Sequence, residues 1–271
     1  MIMLDLIKKA EKFKYKSLEY IESEDILNAE ILADDDEALV IYTKESERLK
    51  IDWATNSPTK LMIRLKELIN RVSFDQEIKK IHIEFIPEEI VPELEAYGFK
   101  ISSEWVDFWN NKLEKSCYEQ DKSLIIRNII DREYHVASEI TKSCKGISRG
   151  YYGESVDWIK DWYEKENSQV YVAEINNKII GVCCVSLYGF DSSKGTVLWI
   201  REVAVDPNYH SQKIGLNLMS FAIDWGKKNG AKRSFLACDM DNRKAIRLYE
   251  GLGYEKISER GQINMEKNIN R

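Results

Sequence analysis

The stretch 201-REVAVDPNYHSQKIGLNLMSFAIDWG-226 changes periodicity halfway along its length. Up to Val205 it continues the β-branched, apolar run TVLWIREVAV (196–205), a strand. From Ile214 the apolar residues Ile214, Leu218, Phe221, Ala222 and Trp225 recur at helical spacing, predicting a helix from about Ser211 to Lys228. Another strand, RSFLACDM (233–240), follows. A helix crossing between consecutive strands of one sheet requires those strands to run parallel. The turn between strand and helix lies where the first helical N–H groups lack intrahelical partners, so its main chain favours an anion. Gly215 is its only glycine.

Around this unit the second half of the chain alternates strands and helices. SLIIRNI (123–129) reads as a strand, 131–143 and 154–165 as helices, and 169–175 and 178–189 as strands joined by a hairpin turn at Asn176-Asn177. A helix from Asn242 to about Gly251 and the short strands YEKIS and QINMEK close the sequence. The first half repeats the later part of this plan. LKIDWA (49–54) is followed by a helix capped at Ser57-Pro58, a strand at 79–85, a helix ending at Gly98, and the two strands KISSEW and DFWNNK. EAYGFKISSE (95–104) resembles EGLGYEKISE (250–259), and the apolar stripes starting at Leu61 and Ile214 stand 153 residues apart. These matches predict a duplication. The polar segment 112–122 is the expected linker, so the domains are expected at 1–115 and 123–271.

Composition narrows the function. Net charge is −6, which argues against a nucleic-acid partner. Residues 1–120 hold 17 basic and 26 acidic side chains, whereas the remainder is slightly basic and holds all glycines but Gly98. Ligand chemistry is therefore expected in the second half. The five cysteines have no metal-ligand spacing and the three histidines are scattered, so no metal is expected and a reducing, cytoplasmic setting is. No apolar run is long enough to span a membrane, and the N-terminus reads as an amphipathic helix and not a signal peptide.

Two segments together carry a resemblance. Val203, Val205 and Pro207 lead into a loop in which His210, Lys213 and Gly215 stand at the positions of the pattern Gln/Arg-x-x-Gly-x-Gly/Ala. Asn242, Ala245, Tyr249, Gly253 and Tyr254 match Asn-x-x-Ala-x-x-x-Tyr-x-x-x-Gly-aromatic at every position. In this, residues 123–268 resemble the GNAT superfamily of acyl-CoA-dependent N-acetyltransferases. The resemblance implies an α+β fold of two tandem GNAT-like domains, each a mostly antiparallel mixed sheet with one splayed parallel pair, flanked by helices. It implies acetyl-CoA as co-substrate, lying against Val203, Ala204 and Val205, with its pyrophosphate on the main chain of His210, Ser211, Gln212, Lys213, Ile214 and Gly215. Asn217, Asn242, Ala245 and Tyr249 complete the cofactor-binding set. A non-glycine at position 213 is compatible with that loop provided its φ is negative.

For chemistry, the resemblance places the Tyr249 phenol near the thioester sulfur, as acid for the leaving thiolate. An ammonium acceptor must first lose a proton, and a carboxylate can take it. Glu202 is the first candidate and Asp239 the second. Strict alternation puts Glu202 on the face opposite Val203 and Val205, but a bulge would change that count. The loop 145-KGISRGYYGESVDW-158 either covers an amine acceptor or packs on the first half. The first half has Leu94, Ile90 and Pro87 where Tyr249, Ala245 and Asn242 stand, and is expected to bind no CoA. The expectation is an N-acetyltransferase acting on a primary amine by direct attack, as a monomer or homodimer. A non-catalytic acyl-CoA-binding protein and a protein acetyltransferase, N-terminal or lysine-directed, are the alternatives.

Overall fold

The computed structural model describes residues 2–21, 26–72, 75–113 and 123–269; of the expected linker, 112–122, residues 114–122 with Cys117 lie outside them. The chain begins with α1 (Ile2–Ala10), β1 (Tyr15–Lys16), β2 (Glu30–Asp34), β3 (Ala38–Glu45) and β4 (Arg48–Thr55). Next come α2 (Pro58–Val72), β5 (Lys80–Ile83), α3 (Val91–Ala96) and β6 (Lys100–Asn110). Then follow β7 (Leu124–Asn128), α4 (Tyr134–Ser143), α5 (Val156–Glu164), β8 (Ser168–Ile175), β9 (Lys178–Tyr188) and β10 (Val197–Val205). The chain finishes with α6 (Ile214–Lys228), β11 (Arg233–Asp239), α7 (Arg243–Gly251), β12 (Glu255–Lys256) and β13 (Gln262–Asn268). The class is α+β, a mixed arrangement of parallel and antiparallel strands flanked by helices. Among the described residues no helix is long and apolar enough to cross a membrane.

Two compact units form, Met1–Glu104 with Arg260–Arg271, and Trp105–Glu259. This differs from a contiguous division at 115 and 123, because the last strand of each half pairs out of turn. KISSEW and DFWNNK are one strand, β6, whose residues 105–110 pair with β11 in the second unit, while β13 pairs with β5 in the first.

In the second unit, β7, β8, β9 and β10 are antiparallel neighbours and β10 runs parallel to β11. One face packs Cys183, Leu198 and Ile200 against Ile214, Leu218 and Ala222 of α6. The other packs Val182, Cys184 and Ala204 against α4 and α5 through Ala137, Ile140, Ile159 and Trp162. The parallel pair is in register only from Val197↔Arg233 to Trp199↔Phe235. Beyond it, β10 keeps β9 on one edge, and none of the described strands pairs with 202–205 on the other.

The first unit meets the same situation differently. Here β4 is parallel to β5 from Arg48↔Lys80 to Ile51↔Ile83, with β3 along its other edge. Past Ile51 the edge that β5 leaves is taken by the chain itself, since β1 pairs antiparallel with Ala54 and Thr55. Ser17 continues that pairing: its N–H donates to the Trp53 carbonyl (2.8 Å) and its Oγ accepts from the Trp53 N–H (2.8 Å). The Trp53 indole N–H donates to the Glu84 carbonyl at 2.9 Å. Trp53 is fully buried with Leu61 and Leu65 of α2 beneath it.

The glycines matched in sequence, Gly98 and Gly253, close α3 and α7 with φ of 90° and 83°, the left-handed turn that ends a helix. Asn110, at the end of β6, fixes the second of these turns. Its Nδ2 donates to the Leu252 carbonyl at 2.8 Å, and its Oδ1 accepts from the N–H groups of Lys112 and Leu113. Removing that amide strands two buried backbone groups, the Leu252 carbonyl and the Leu113 N–H, each worth on the order of 1 kcal/mol or more. Asn110→Ala is therefore expected to destabilise the protein by about 2 kcal/mol, seen in urea denaturation as a lower midpoint at unchanged slope.

Candidate active site

The gap where β10 parts from β11 opens into a cavity of about 660 Å³, lined by residues of the second unit alone. One end is built by the strand-to-helix turn. Ser211 and Lys213 both adopt left-handed backbone, at φ 64° and 62°, so α6 begins at Ile214 and not Ser211. The condition that φ at Lys213 be negative is not met. The conformation a glycine would take is kept with a lysine, at a strain of roughly 1 kcal/mol. Lys213, Ile214, Gly215 and Leu216 line the cavity, at the end of α6 whose first N–H groups lack intrahelical partners. Gly215 serves a different end: a Cβ there would lie 3.3 Å from Leu248 Cδ2, so glycine lets α6 sit close to α7.

His210 lines the cavity, and its Nε2 donates to the Val205 carbonyl at 2.8 Å. A carbonyl can only accept, so the proton is on Nε2. The Cys144 thiol donates to the same oxygen at 3.3 Å. The turn is thus tied back to the strand that feeds it. Gln212 and Asn217 do not line the cavity: the Gln212 amide reaches the Asn208 carbonyl, and Asn217 is buried in α6. Asn242 does line it, as N-cap of α7, its Oδ1 accepting from the Ala245 N–H at 3.2 Å.

The walls hold two of the expected chemical groups. In β10, Ile200 faces Val185 and Glu202 faces Cys184, so Arg201 is an extra, bulged residue. The bulge turns Ile200 toward α6 and Glu202 away from it, although strict alternation would place them on one face. From Glu202 onward alternation holds, with Val203 and Val205 on the α6 side and Glu202 with Ala204 opposite. Glu202 is 7% exposed. Burial pushes its carboxyl up to about 7, with nearby Glu154 also raising it, and Arg201, the Tyr151 hydroxyl and the Val203 N–H pulling down. Tyr249, on α7, lies edge-on to Phe108 with ring centres 6.2 Å apart and lines the same cavity. Burial holds its phenol well above the ordinary value of 10, with Cys238 and Glu202 adding to the effect.

Asp239 does not share the freedom of Glu202. It is fully buried at the end of β11 and ion-paired with Arg149 (3.0 Å), which also reaches Asp241 (3.1 Å). The bulged Arg201 stacks over the Trp158 ring at 5.2 Å and pairs with Glu154 at 3.5 Å. These two arginines, which sequence reasoning did not single out, tether the loop between α4 and α5. The loop is pinned at its centre as well: Gly153 (φ 82°) would place a Cβ 2.5 Å from the Lys142 backbone, and the Glu154 N–H donates to Thr141 Oγ1. Tyr151 from this loop lines the cavity, and so does Trp105, the residue at which β6 enters the second unit. Among the described residues no group of three or more His, Cys, Asp and Glu is arranged to hold a metal ion.

The parallel pair thus parts over a cavity that is lined by the first turn of α6 and by Glu202 and Tyr249. The sequence model of the acetyltransferase (GNAT) family matches residues 132–254. An uncharacterized N-acetyltransferase of Methanocaldococcus jannaschii is 30% identical over 158 residues, covering 56% of this chain and 70% of that protein. One of Bacillus subtilis is 32% identical over 116 residues, 40% of this chain and 76% of its own length. In fold alone, the chain is similar to a GCN5-related N-acetyltransferase from Sphaerobacter thermophilus, with a TM-score of 0.64 at 13% identity, over 94% of this chain and 86% of that one. The protein belongs to the GNAT acetyltransferase family, and acyl transfer is its class of chemistry.

Lys213→Gly should relieve the left-handed strain and outweigh the extra freedom that glycine gives the unfolded chain. The expected gain is about 0.5–1 kcal/mol, read as a Tm rise of roughly 2–4 °C for a chain of this size.

Proposed function

We propose that the second unit transfers an acetyl group from acetyl-CoA to a primary amine by direct attack, within a reducing, cytoplasmic compartment. The observation that carries this reading is the placement of Glu202 and Tyr249 on the walls of one cavity that runs to the start of α6. The residues present suit the donor. The edge at 202–204, which none of the described strands pairs with, offers main-chain groups to the amides of a pantetheine arm, and the first turn of α6 offers N–H groups and its positive dipole end to a pyrophosphate. Lys213 and Gly215 line that end, with Asn242 and Ala245 beside them.

An alkylammonium, pKa ~10.4 in water, is inert as a nucleophile. Entering a largely apolar cavity, it loses part of its hydration, which lowers that value. Glu202, ionised above about pH 7, takes one proton, directly or through a water. The neutral nitrogen attacks the thioester carbonyl carbon and the carbon–sulfur bond breaks. Tyr249, held protonated by its surroundings, is an acid and not a base; it gives its proton to the departing sulfur. The phenol is restored by the second proton that nitrogen sheds as the amide forms, and Glu202 returns its own to solvent. For the first unit we infer that no CoA binds, because β1 and Ser17 occupy the edge the donor would need.

The sign of the pH dependence follows from the raised carboxyl. Below about 7 Glu202 is neutral and cannot accept a proton, so kcat/KM is expected to rise with pH through an apparent pKa near 7. Glu202→Gln should lose that acid limb and lower kcat/KM by roughly 10²–10³-fold. An unchanged profile would remove Glu202 as the base. Tyr249→Phe should lower kcat by about 10²-fold with little change in acetyl-CoA affinity.

A further inference from the structure

We propose that the acceptor is a monoamine carried on an apolar, ring-bearing body, and not a polyamine or other polycation. This rests on the acyl-transfer reading above and follows from counting charges around the cavity. Among the described residues that line it, Glu202 is the only carboxylate. Of the acidic side chains nearby, Asp239 and Asp241 share Arg149, and Glu154 pairs with Arg201. One ammonium finds one carboxylate. A second ammonium on the same molecule would be desolvated in a lining that offers it no further carboxylate, which disfavours polycations as substrates.

The rest of the acceptor must then be recognised by apolar contact. Ile147, Tyr151, Ile200 and Leu236 line the cavity together with Trp105. Trp105 pairs with Asp239 across the β6–β11 ladder, which sets its indole at the level of the Arg149 clamp. Tyr151 comes from the tethered loop beside Glu202. Two aromatic side chains near a lone carboxylate suit a ring joined to one amine through a short chain. Trp105 is thus a specificity residue delivered by the first half of the sequence.

The test compares 2-phenylethylamine with spermidine as acceptors for the full-length protein with acetyl-CoA. Expected is a kcat/KM at least tenfold higher for 2-phenylethylamine. Trp105→Ala should reduce that value roughly tenfold through KM, leave acetyl-CoA affinity by calorimetry unchanged, and barely alter the spermidine rate. Ile147 sits at the rim and is 44% exposed, so its replacement does not disturb the core. Ile147→Glu adds a second carboxylate and should raise kcat/KM for spermidine severalfold. Spermidine turned over as fast as 2-phenylethylamine, or equal losses for both amines in Trp105→Ala, would overturn the proposal while leaving acyl transfer intact. Acetyl-CoA binding with no turnover of any amine would overturn the transfer reading and this proposal with it.

Discussion

A strand that parts from its parallel neighbour leaves backbone donors and acceptors that must find partners. This protein contains that situation twice and resolves it in two ways. In the first unit the departing edge of β4 is completed from within, by β1, Ser17 and the Trp53 indole N–H. In the second unit the corresponding edge of β10 faces a cavity. The elements that shape that cavity, from the close seat of α6 on α7 at Gly215 to the tethered α4–α5 loop, are arranged around that opening.

The bulge at Arg201 links this backbone feature to charge. One extra residue sets Glu202 against the loop between α4 and α5, while Val203 and Val205 continue on the α6 side. It also frees Arg201 to hold Glu154 and Trp158. Glu202, the only carboxylate among the described residues lining the cavity, is therefore buried enough to titrate near neutrality, with Glu154 adding to the rise.

Much of this was legible in the sequence because it is local. The crossover from β10 through α6 to β11 follows from periodicity between 196 and 240, and Asn242 and Tyr249 from their spacing on one short helix. The features that were not legible depend on residues far apart. Nothing in the alternation of 105–110 says that it pairs with β11 and not β5, since a period of two fits either neighbour. A two-residue strand such as β1 leaves no pattern, and the Arg149–Asp239 pair joins positions 90 residues apart. Lys213 misleads for a physical reason: residue type argues against left-handed backbone, and only the tight turn into α6 imposes it.

The central claim is that the gap in the second unit is open to acetyl-CoA and the gap in the first is closed by its own chain. Isothermal titration of the full-length protein with acetyl-CoA tests it most directly. One site per chain is predicted, and that single site should survive Trp53→Phe in the first unit. Two sites per chain, or none, would contradict the account.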